Sequence, residues 1–278
     1  MGREPEKTTK PQVEPKKGVK RTLTLKLIKN PKGPRNNIAF KCNFCNGGAS
    51  DNNIGYHGVC NDDIIHNNIE IEKRVWCSSE DCDCRRYLDG EITRTELDSI
   101  CEDYYSGSVC YESQMLRDWK VFAGIVQSGK NKGRPMKLNK LKANSLVVLT
   151  TRKPNTSEEE RFVIAVFLVD ETCGGDLGEE GYITTSSNFR IKLSPKEAHK
   201  MLFWNYLFNE NRPDLIRWGF GLHRYLSDAQ AAQILIDIID VKSDISEKNF
   251  AMSFFDHFCY INGIDKNQIS FPSGTLAK

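Results

Sequence analysis

The feature that most constrains this chain is the crowding of its cysteines. Eight of the ten lie between Cys42 and Cys110, at spacings C-x2-C, x14, C, x16, C-x4-C-x-C, x16, C, x8, C. The 168 residues after Cys110 hold only the other two. So many thiols in one short segment are typical of either a disulfide framework or a metal-binding module.

The redox compartment decides between these two explanations. Residues 1–37 contain no apolar core of a secretory signal, and their Lys- and Pro-rich sequence without serine is a poor transit peptide. No run of about 18 apolar residues occurs, which argues against a membrane span. We therefore expect a cytoplasmic protein, or a nuclear one in a eukaryote, whose reduced cysteines act as thiolate ligands.

All eight clustered cysteines are candidate ligands, enough to fill two zinc sites of four thiolates each. The C-x2-C turn resembles a zinc knuckle, in which both sulfurs face one ion and the following glycines relieve steric strain. The C-x4-C-x-C element is one residue short of the plant-type ferredoxin spacing, so an iron–sulfur cluster is an alternative to zinc, and cysteines without metal are a third. The candidate ligands are Cys42, Cys45, Cys60, Cys77, Cys82, Cys84, Cys101 and Cys110.

Length and charge predict two folded parts preceded by a basic arm. With 278 residues, 39% of them hydrophobic and 27% charged, the chain can bury at least one full-sized core. Residues 1–37 carry 11 Lys and Arg against 3 Glu, whereas the whole chain has a net charge of only +2. Such an arm cannot offset its ordering entropy, and it serves either to contact phosphates or only to aid solubility. We assign residues 1–37 to a disordered arm, 38–115 to the metal module and 116–278 to an α/β domain with C-terminal helices.

Apolar patterns place the main elements. The predicted strands are Thr22–Ile28, Ile69–Trp76, and a buried hairpin-like pair at Leu146–Arg152 and Arg161–Asp170. The predicted helices are Thr93–Asp103, Ser194–Phe208, Ser227–Ile239 and Ser246–Ile261. The Ser194 helix has the strongest start signal, because Pro195 and a capping-box Glu197 follow the N-cap serine.

The strand Leu146–Thr151, the paired strand ending at Val169-Asp170 and the basic loop between them resemble part of the small β-barrel of the PUA superfamily, which includes EVE, ASCH and YTH modules. The likeness covers about Trp119–Asp240, under half of the chain. Together with the cysteine segment, it gives the expected fold: the α+β class, with a small cysteine-rich metal-binding module followed by a PUA-like β-barrel with packed helices. It also implies a pocket for a flipped or single-stranded base, often a modified one.

Aromatic and basic side chains around these strands are the candidate nucleic-acid contacts. Stacking on an aromatic ring is worth about 1–3 kcal/mol per base, and arginines at the strand ends are placed to hold phosphates. The glycines of the segment Trp218–Tyr225 allow close backbone approach, although such segments more often form packing corners. The candidates are Trp119, Arg152, Arg161, Trp204, Trp218, His223, Arg224 and Tyr225, with Tyr206 as a further stacking residue.

Motifs for catalysis are missing. The sequence has no G-x4-G-K-[ST], G-x-G-x-x-G, G-x-S-x-G, H-E-x-x-H or zinc-deaminase pattern. His57 and His66 among the cysteines leave an HNH-like metal-dependent nuclease as the enzymatic candidate, without the expected histidine order. We predict a DNA- or RNA-binding reader of a modified or flipped base with structural zinc, serving in defence or RNA handling. The alternatives are an iron–sulfur or thiol redox sensor, that nuclease, or a scaffold for a protein partner.

Overall fold

A computed structural model describes residues 37–47, 58–102, 111–126, 129–136, 138, 141–174, 180–209, 212–219 and 221–277. The predicted strand Thr22–Ile28 lies outside these residues, as do nearly all of the basic arm, His57 and Cys110. The backbone of Cys101 is described but its side chain is not.

The described residues form two β-sheets. In chain order the strands are β1 (Asn37–Lys41), β2 (Lys120–Phe122), β3 (Leu146–Thr151), β4 (Phe162–Leu168), β5 (Glu171–Cys173), β6 (Tyr182–Thr184), β7 (Arg190–Lys192) and β8 (His223–Leu226). The larger sheet has the strand order β7-β4-β3-β1-β8 and the smaller one β2-β6-β5. Strands β1 and β3 run parallel, and the other pairs are antiparallel.

Strands β3 and β4 confirm the predicted hairpin-like pair. Their unbroken apolar runs predict strands covered on both faces, because a strand with one wet face alternates apolar and polar residues. Every residue of both strands is buried. Together they supply the middle of the main core, onto which helices from the C-terminal part of the chain pack.

Strand β1 lies inside the larger sheet, between β3 and β8. The buried Asn37 fixes its first residue: its Nδ2 donates to Asp228 Oδ1 at 2.8 Å, and its Oδ1 accepts from the Leu146 N–H at 2.8 Å. Residues 38–41, which the sequence assigns to the start of the metal module, therefore lie in this sheet and lead directly into Cys42.

Seven α-helices occur in the described residues. They are α1 (Asp62–His66), α2 (Asp83–Leu88), α3 (Arg94–Glu102), α4 (Tyr111–Asp118), α5 (Pro195–Ala198), α6 (Asp228–Val241) and α7 (Ile245–Asn262). Helices α3, α6 and α7 confirm three predictions. Ser227 and Asp244 cap the N-termini of α6 and α7, and Gly263, at φ +64°, ends α7 in the left-handed conformation that glycine adopts without strain.

The predicted helix Ser194–Phe208 is wrong in its length. The capping box of Ser194 and Glu197 is present, but the α-helix ends at Ala198. The backbone then pairs with the residues around β4, since Val163 N donates to Met201 O at 2.9 Å and Phe203 N donates to Arg161 O at 2.8 Å. Pairing with the beginning of β4 takes the hydrogen bonds that a longer helix would need.

The predicted strand Ile69–Trp76 is also wrong. Helix α1 continues into a π-helical turn at Asn67–Ile71, and turns follow. The reason is the spacing of Ile65 and Ile69, four residues apart, which places both buried side chains on one helical face. This burial outweighs the strand-like alternation of the local sequence.

The α+β class is confirmed. Over the residues that are described, the two sheets are open and no closed barrel is present, so the PUA-like barrel remains a resemblance. In the same residues, no helix combines the length and apolar character needed to cross a bilayer.

We expect Phe254→Ala to lower the free energy of unfolding by about 3–5 kcal/mol, because it opens a cavity where α7 packs on the core. Phe254 is 0% exposed, whereas Tyr260 on the same helix is 83% exposed. The matched Tyr260→Ala change should stay within about 0.5 kcal/mol of the wild type. Urea denaturation measures both, and equal stabilities for the two variants would contradict this packing.

Candidate metal centre and nucleic-acid interface

A small hydrophobic cluster, distinct from the main core, contains four of the cysteines. Its buried members are Cys45, Val59, Cys60, Ile65, Ile69 and Leu97, and the side chains packed against it are Ile64, Cys77, Cys84, Tyr87, Leu88 and Ile92. Such a cluster holds too little aliphatic surface to stabilise its segment alone. Small units of this kind commonly depend on a cross-link or a structural metal.

The thiols nearest this cluster are Cys45, Cys60, Cys77, Cys82 and Cys84, which we call the cysteine cluster. The Sγ atoms of Cys45 and Cys60 lie 3.5 Å apart. Two thiolates on a tetrahedral zinc, each with a Zn–S bond of about 2.3 Å, are about 3.8 Å apart. The Gly47 N–H donates to Cys45 Sγ at 3.5 Å, a contact that favours the thiolate form.

The pKa values of these thiols depend on one another. The hydrogen bond with Cys45, then burial, raise the pKa of Cys60, and burial with the charges of Cys82 and Cys45 helps raise that of Cys77 to about 12. The hydrogen bond with Cys84 lowers the pKa of Cys82 to about 6. Thiolates this close repel one another, and a divalent cation would relieve that repulsion.

The sulfur atoms of the cysteine cluster do not form a complete metal site in the described residues. Across the described ranges, no group of three or more His, Cys, Asp or Glu side chains has an arrangement that could hold a metal ion. The Cys45–Cys60 pair has the spacing of two zinc ligands, and at least one further thiol would have to move toward it. Zinc therefore remains a proposal supported by the chemistry of the donors.

Cys42 lies apart from the cysteine cluster. It is buried in the main core with its Sγ 3.9 Å from the Phe40 carbonyl oxygen, and burial raises its pKa to about 12. The C-x2-C turn thus directs Cys42 to the main core and Cys45 to the smaller one. The predicted ligands Cys101 and Cys110 fall where no side chain is described.

Glu112 is a titratable neighbour that the cysteine pattern did not indicate. Its carboxylate accepts from the Asn43 N–H at 3.4 Å, two residues before Cys45. Burial, together with the nearby Cys45, raises the pKa of Glu112 to about 7. His66, one of the two nuclease candidates, is exposed at the end of α1.

Three predicted nucleic-acid contacts lie in the protein interior. Trp204, Trp218 and Arg161 are each only 2% exposed. The guanidinium of Arg161 pairs with Glu158 at 2.5 Å and lies 5.0 Å from the Trp218 ring centroid. Neither indole offers an open face to a base, and this arginine already has an anionic partner.

The other predicted nucleic-acid contacts, Arg152, Arg224 and Trp119, also contact groups of the protein itself. Arg152 bridges two carboxylates, with its guanidinium 3.6 Å from Glu72 and 3.8 Å from Glu158. Arg224 donates to the carbonyl oxygens of Trp218 and His223. The Trp119 ring packs edge-on against Phe167 at 5.9 Å, and the Arg190 guanidinium lies 5.6 Å from its centroid.

His223 and Tyr225 lie half-buried on β8, with their rings 5.3 Å apart. Burial lowers the pKa of His223, and burial raises that of Tyr225. The Nδ1 atom of His223 is buried with no hydrogen-bond partner among the described residues. The neutral imidazole is therefore favoured at this position.

A cavity of about 530 Å³, which we call the aromatic pocket, has Leu222, the residue before His223, in its wall. Its lining consists of Trp76, Lys120, Phe122, Gly124, Glu180, Tyr182 and Leu222. The Phe122 and Tyr182 rings are 6.0 Å apart at 63°, and Lys120 Nζ lies 3.8 Å from the Tyr182 centroid. Trp76 is 50% exposed, so its indole can be reached from solvent.

Strand periodicity creates this pocket. Phe122 is paired directly with Tyr182 across β2 and β6, and Lys120 lies two residues away on the same face. The alternate residues Val121 and Ile183 are fully buried in the main core. One face of the small sheet is therefore core and the other carries the aromatic rings.

The pocket has polar groups of both signs. Burial raises the pKa of Glu180, although its carboxylate accepts a hydrogen bond from the Gly124 N–H. Gly124 has φ +88°, and a Cβ there would lie 2.5 Å from Leu222 Cδ1. Glycine thus allows both the turn and the close approach of the Leu222 wall.

No protein-family model matches the sequence, and neither the curated proteins nor the solved structures give a significant match. We therefore infer the function from the side chains themselves. Two groups of side chains are candidates for a site: the thiols of the cysteine cluster, and the rings and charged groups of the aromatic pocket.

If the cysteine cluster binds zinc, anaerobically purified protein should contain it, and Cys45→Ser and Cys60→Ser should each lose most of it, because a site that loses one of its thiolates binds the ion far more weakly. Cys173→Ser, on β5, is the matched control and should keep the wild-type content. Elemental analysis with an absorption spectrum makes the measurement. Wild-type zinc content in both cluster variants would contradict the site, and visible absorbance would indicate an iron–sulfur cluster instead.

Proposed function

We propose that the protein binds nucleic acid by taking a single base into the aromatic pocket, while the cysteine cluster holds zinc as a structural ion. The observation that carries this proposal is the meeting of three rings, a cation and a carboxylate in one cavity: Trp76, Phe122, Tyr182, Lys120 and Glu180. A flat heterocycle with a polar edge is the ligand that suits such a lining.

Each part of a base has a counterpart in the pocket. Its π-face stacks on the aromatic walls, a contact worth about 1–3 kcal/mol. The Glu180 carboxylate is placed to accept from an amino or imino N–H, and Lys120 to donate to a carbonyl oxygen. Leu222 adds an apolar wall that suits the alkyl group of a modified base.

The aromatic lining favours an unstacked base over an intact duplex. A base inside a duplex has both faces covered by its neighbours, so neither face can reach Phe122 or Tyr182. A base from a single strand, or one flipped out of a duplex, is the form that can enter. The proposed ligand is therefore single-stranded nucleic acid or a base extruded from a double strand.

The proposed zinc ion has a structural role in this scheme. Trp76, one wall of the pocket, immediately precedes Cys77 in the chain. A metal bond to Cys77 would restrict the backbone beside Trp76 and so hold its indole toward β2. Chelation of zinc would then weaken base binding without touching the ligand.

We expect Tyr182→Ala to weaken binding of a short labelled single strand by about 5- to 150-fold, which corresponds to a loss of about 1–3 kcal/mol of stacking. Tyr260→Ala is the matched control, because this exposed tyrosine lies on α7 and does not line the pocket. Fluorescence anisotropy, with DNA and RNA strands at one fixed salt concentration, measures the affinities.

Two results would overturn the proposal. One is the absence of any saturable binding by the wild-type protein to single-stranded or base-flipped substrates. The other is equal affinity of the Tyr182→Ala and Tyr260→Ala variants, which would place the nucleic acid elsewhere.

A thiol redox sensor is the second candidate function, and the 3.5 Å contact between the Cys45 and Cys60 sulfurs favours it. Hydrogen peroxide would oxidise this pair to one disulfide and would itself be reduced to two waters, which take up the two thiol protons. The two functions are separable, because a redox sensor shows this oxidation in intact zinc-free protein and a structural zinc site resists it.

A further inference from the structure

A second cavity, of about 730 Å³, lies along the edge strand β7, helix α5 and the beginning of α7. We call it the basic groove, after the five cations in its lining: Arg190, Lys192, Lys196, Lys200 and Lys242. None of the sequence motifs indicated it, since these residues are spread over three elements.

The charge of the groove is positive after its internal pairs are considered. Lys242, whose side chain is 4% exposed, lies 3.1 Å from Glu197 and 3.0 Å from Glu247. Asp244 is the third lining carboxylate, and it caps α7 by accepting from the N–H groups of Ser246 and Glu247. Five cations against three carboxylates leave an excess of two positive charges, and because burial lowers the pKa of Lys192 to about 8, this excess falls toward one as the pH rises above 8.

This local excess differs from the charge of the rest of the body. The chain carries only +2 in total, and 11 Lys and Arg against 3 Glu are concentrated in residues 1–37. The remainder of the chain is therefore net negative, and a cationic groove within it is a local feature. An anionic ligand would be directed to this groove and away from the surrounding surface.

The groove has partly buried apolar side chains beside its cations. These are Val241 and Phe250, whereas Ile191 and Leu193 belong to the buried main core. Lys196 and Lys200 are exposed one helical turn apart at the rim. A polymer with alternating phosphates and less polar sugars matches such a surface better than a compact inorganic anion does.

Arg190 connects this groove to the aromatic pocket. Its side chain lines the groove, and its guanidinium lies 5.6 Å from the Trp119 ring centroid. Trp119 directly precedes Lys120, which lines the aromatic pocket. Arg190 is therefore one side-chain contact away from the residue before β2, the strand that supplies Lys120 and Phe122 to the aromatic pocket.

We infer that the basic groove holds the phosphodiester backbone of the nucleic acid whose base enters the aromatic pocket. This inference rests on the function proposed above and adds the path of the strand. The groove contributes affinity without sequence preference, because phosphate contacts release counterions whatever the bases are. The aromatic pocket alone then discriminates between bases.

The test is the salt dependence of binding by the Lys196→Gln, Lys200→Gln double variant. Each phosphate contact on a single strand contributes about 0.7 to the slope of log K against log salt concentration. Loss of two contacts should lower the slope by about 1.4 and weaken binding equally for all sequences. Both lysines are exposed, so the fold should tolerate the change.

Lys130→Gln with Lys132→Gln is the matched control, because both lysines are exposed and neither lines either cavity. We expect this variant to keep the wild-type slope. The Tyr182→Ala variant serves as a second reference and should lose affinity while its slope stays unchanged, because it removes stacking and no phosphate contact.

The outcomes separate the two proposals. If Tyr182→Ala weakens binding but the Lys196 and Lys200 variant keeps the wild-type slope, the groove assignment is wrong and the base pocket stands. If the Lys196 and Lys200 variant and the Lys130 and Lys132 variant lose the same amount of salt slope, the effect is one of total charge, and the groove assignment is again wrong. A wild-type protein that binds no oligonucleotide would overturn both.

Discussion

The pairing of β1 between β3 and β8 joins the cysteine-rich segment to the main sheet. Its first residue, Asn37, is hydrogen-bonded to both Leu146 and Asp228, and its last residue, Lys41, donates from its N–H to the Leu222 carbonyl oxygen at 2.8 Å. Leu222 is a wall of the aromatic pocket. The strand that leads into the cysteines therefore also fixes part of the proposed base site. A disturbance of β1 would reach both sites at once.

Sequence reasoning succeeded where one local signal was strong. Strands β3 and β4 are unbroken apolar runs, and α6 and α7 combine N-caps with helical spacing, so neighbouring residues alone specify them. It was wrong for the helix after Ser194, because the decisive hydrogen bonds come from Val163 and Arg161, more than thirty residues away. Local propensity cannot register a partner at that distance.

The candidate sites likewise combine features that single residues indicate with features that depend on distant parts of the chain. The cysteines were visible as candidates because each carries its chemistry in its residue type, whereas their grouping depends on how Cys42 and Cys45 face two different cores. The aromatic pocket was missed because Phe122 and Tyr182 lie on separate strands of three residues each. Trp204 and Trp218 were proposed as stacking residues, yet both are buried. An aromatic ring looks alike in sequence whether it faces ligand or core.

The position of β1 also has a consequence for the order of folding. Asn37 is bonded to residues 109 and 191 positions later in the chain, so β1 gains its first strand partner, β3, only after about half of the 278 residues have been synthesised, and its second, β8, later still. The small cluster of residues between Cys45 and Leu97 can form earlier, because all of its members lie within one short segment of the chain. We expect this cluster to form early and to lie beside β1 while β1 is still unpaired. A chain that stalls before β8 would leave one edge of this apolar strand open, where it invites pairing with other chains.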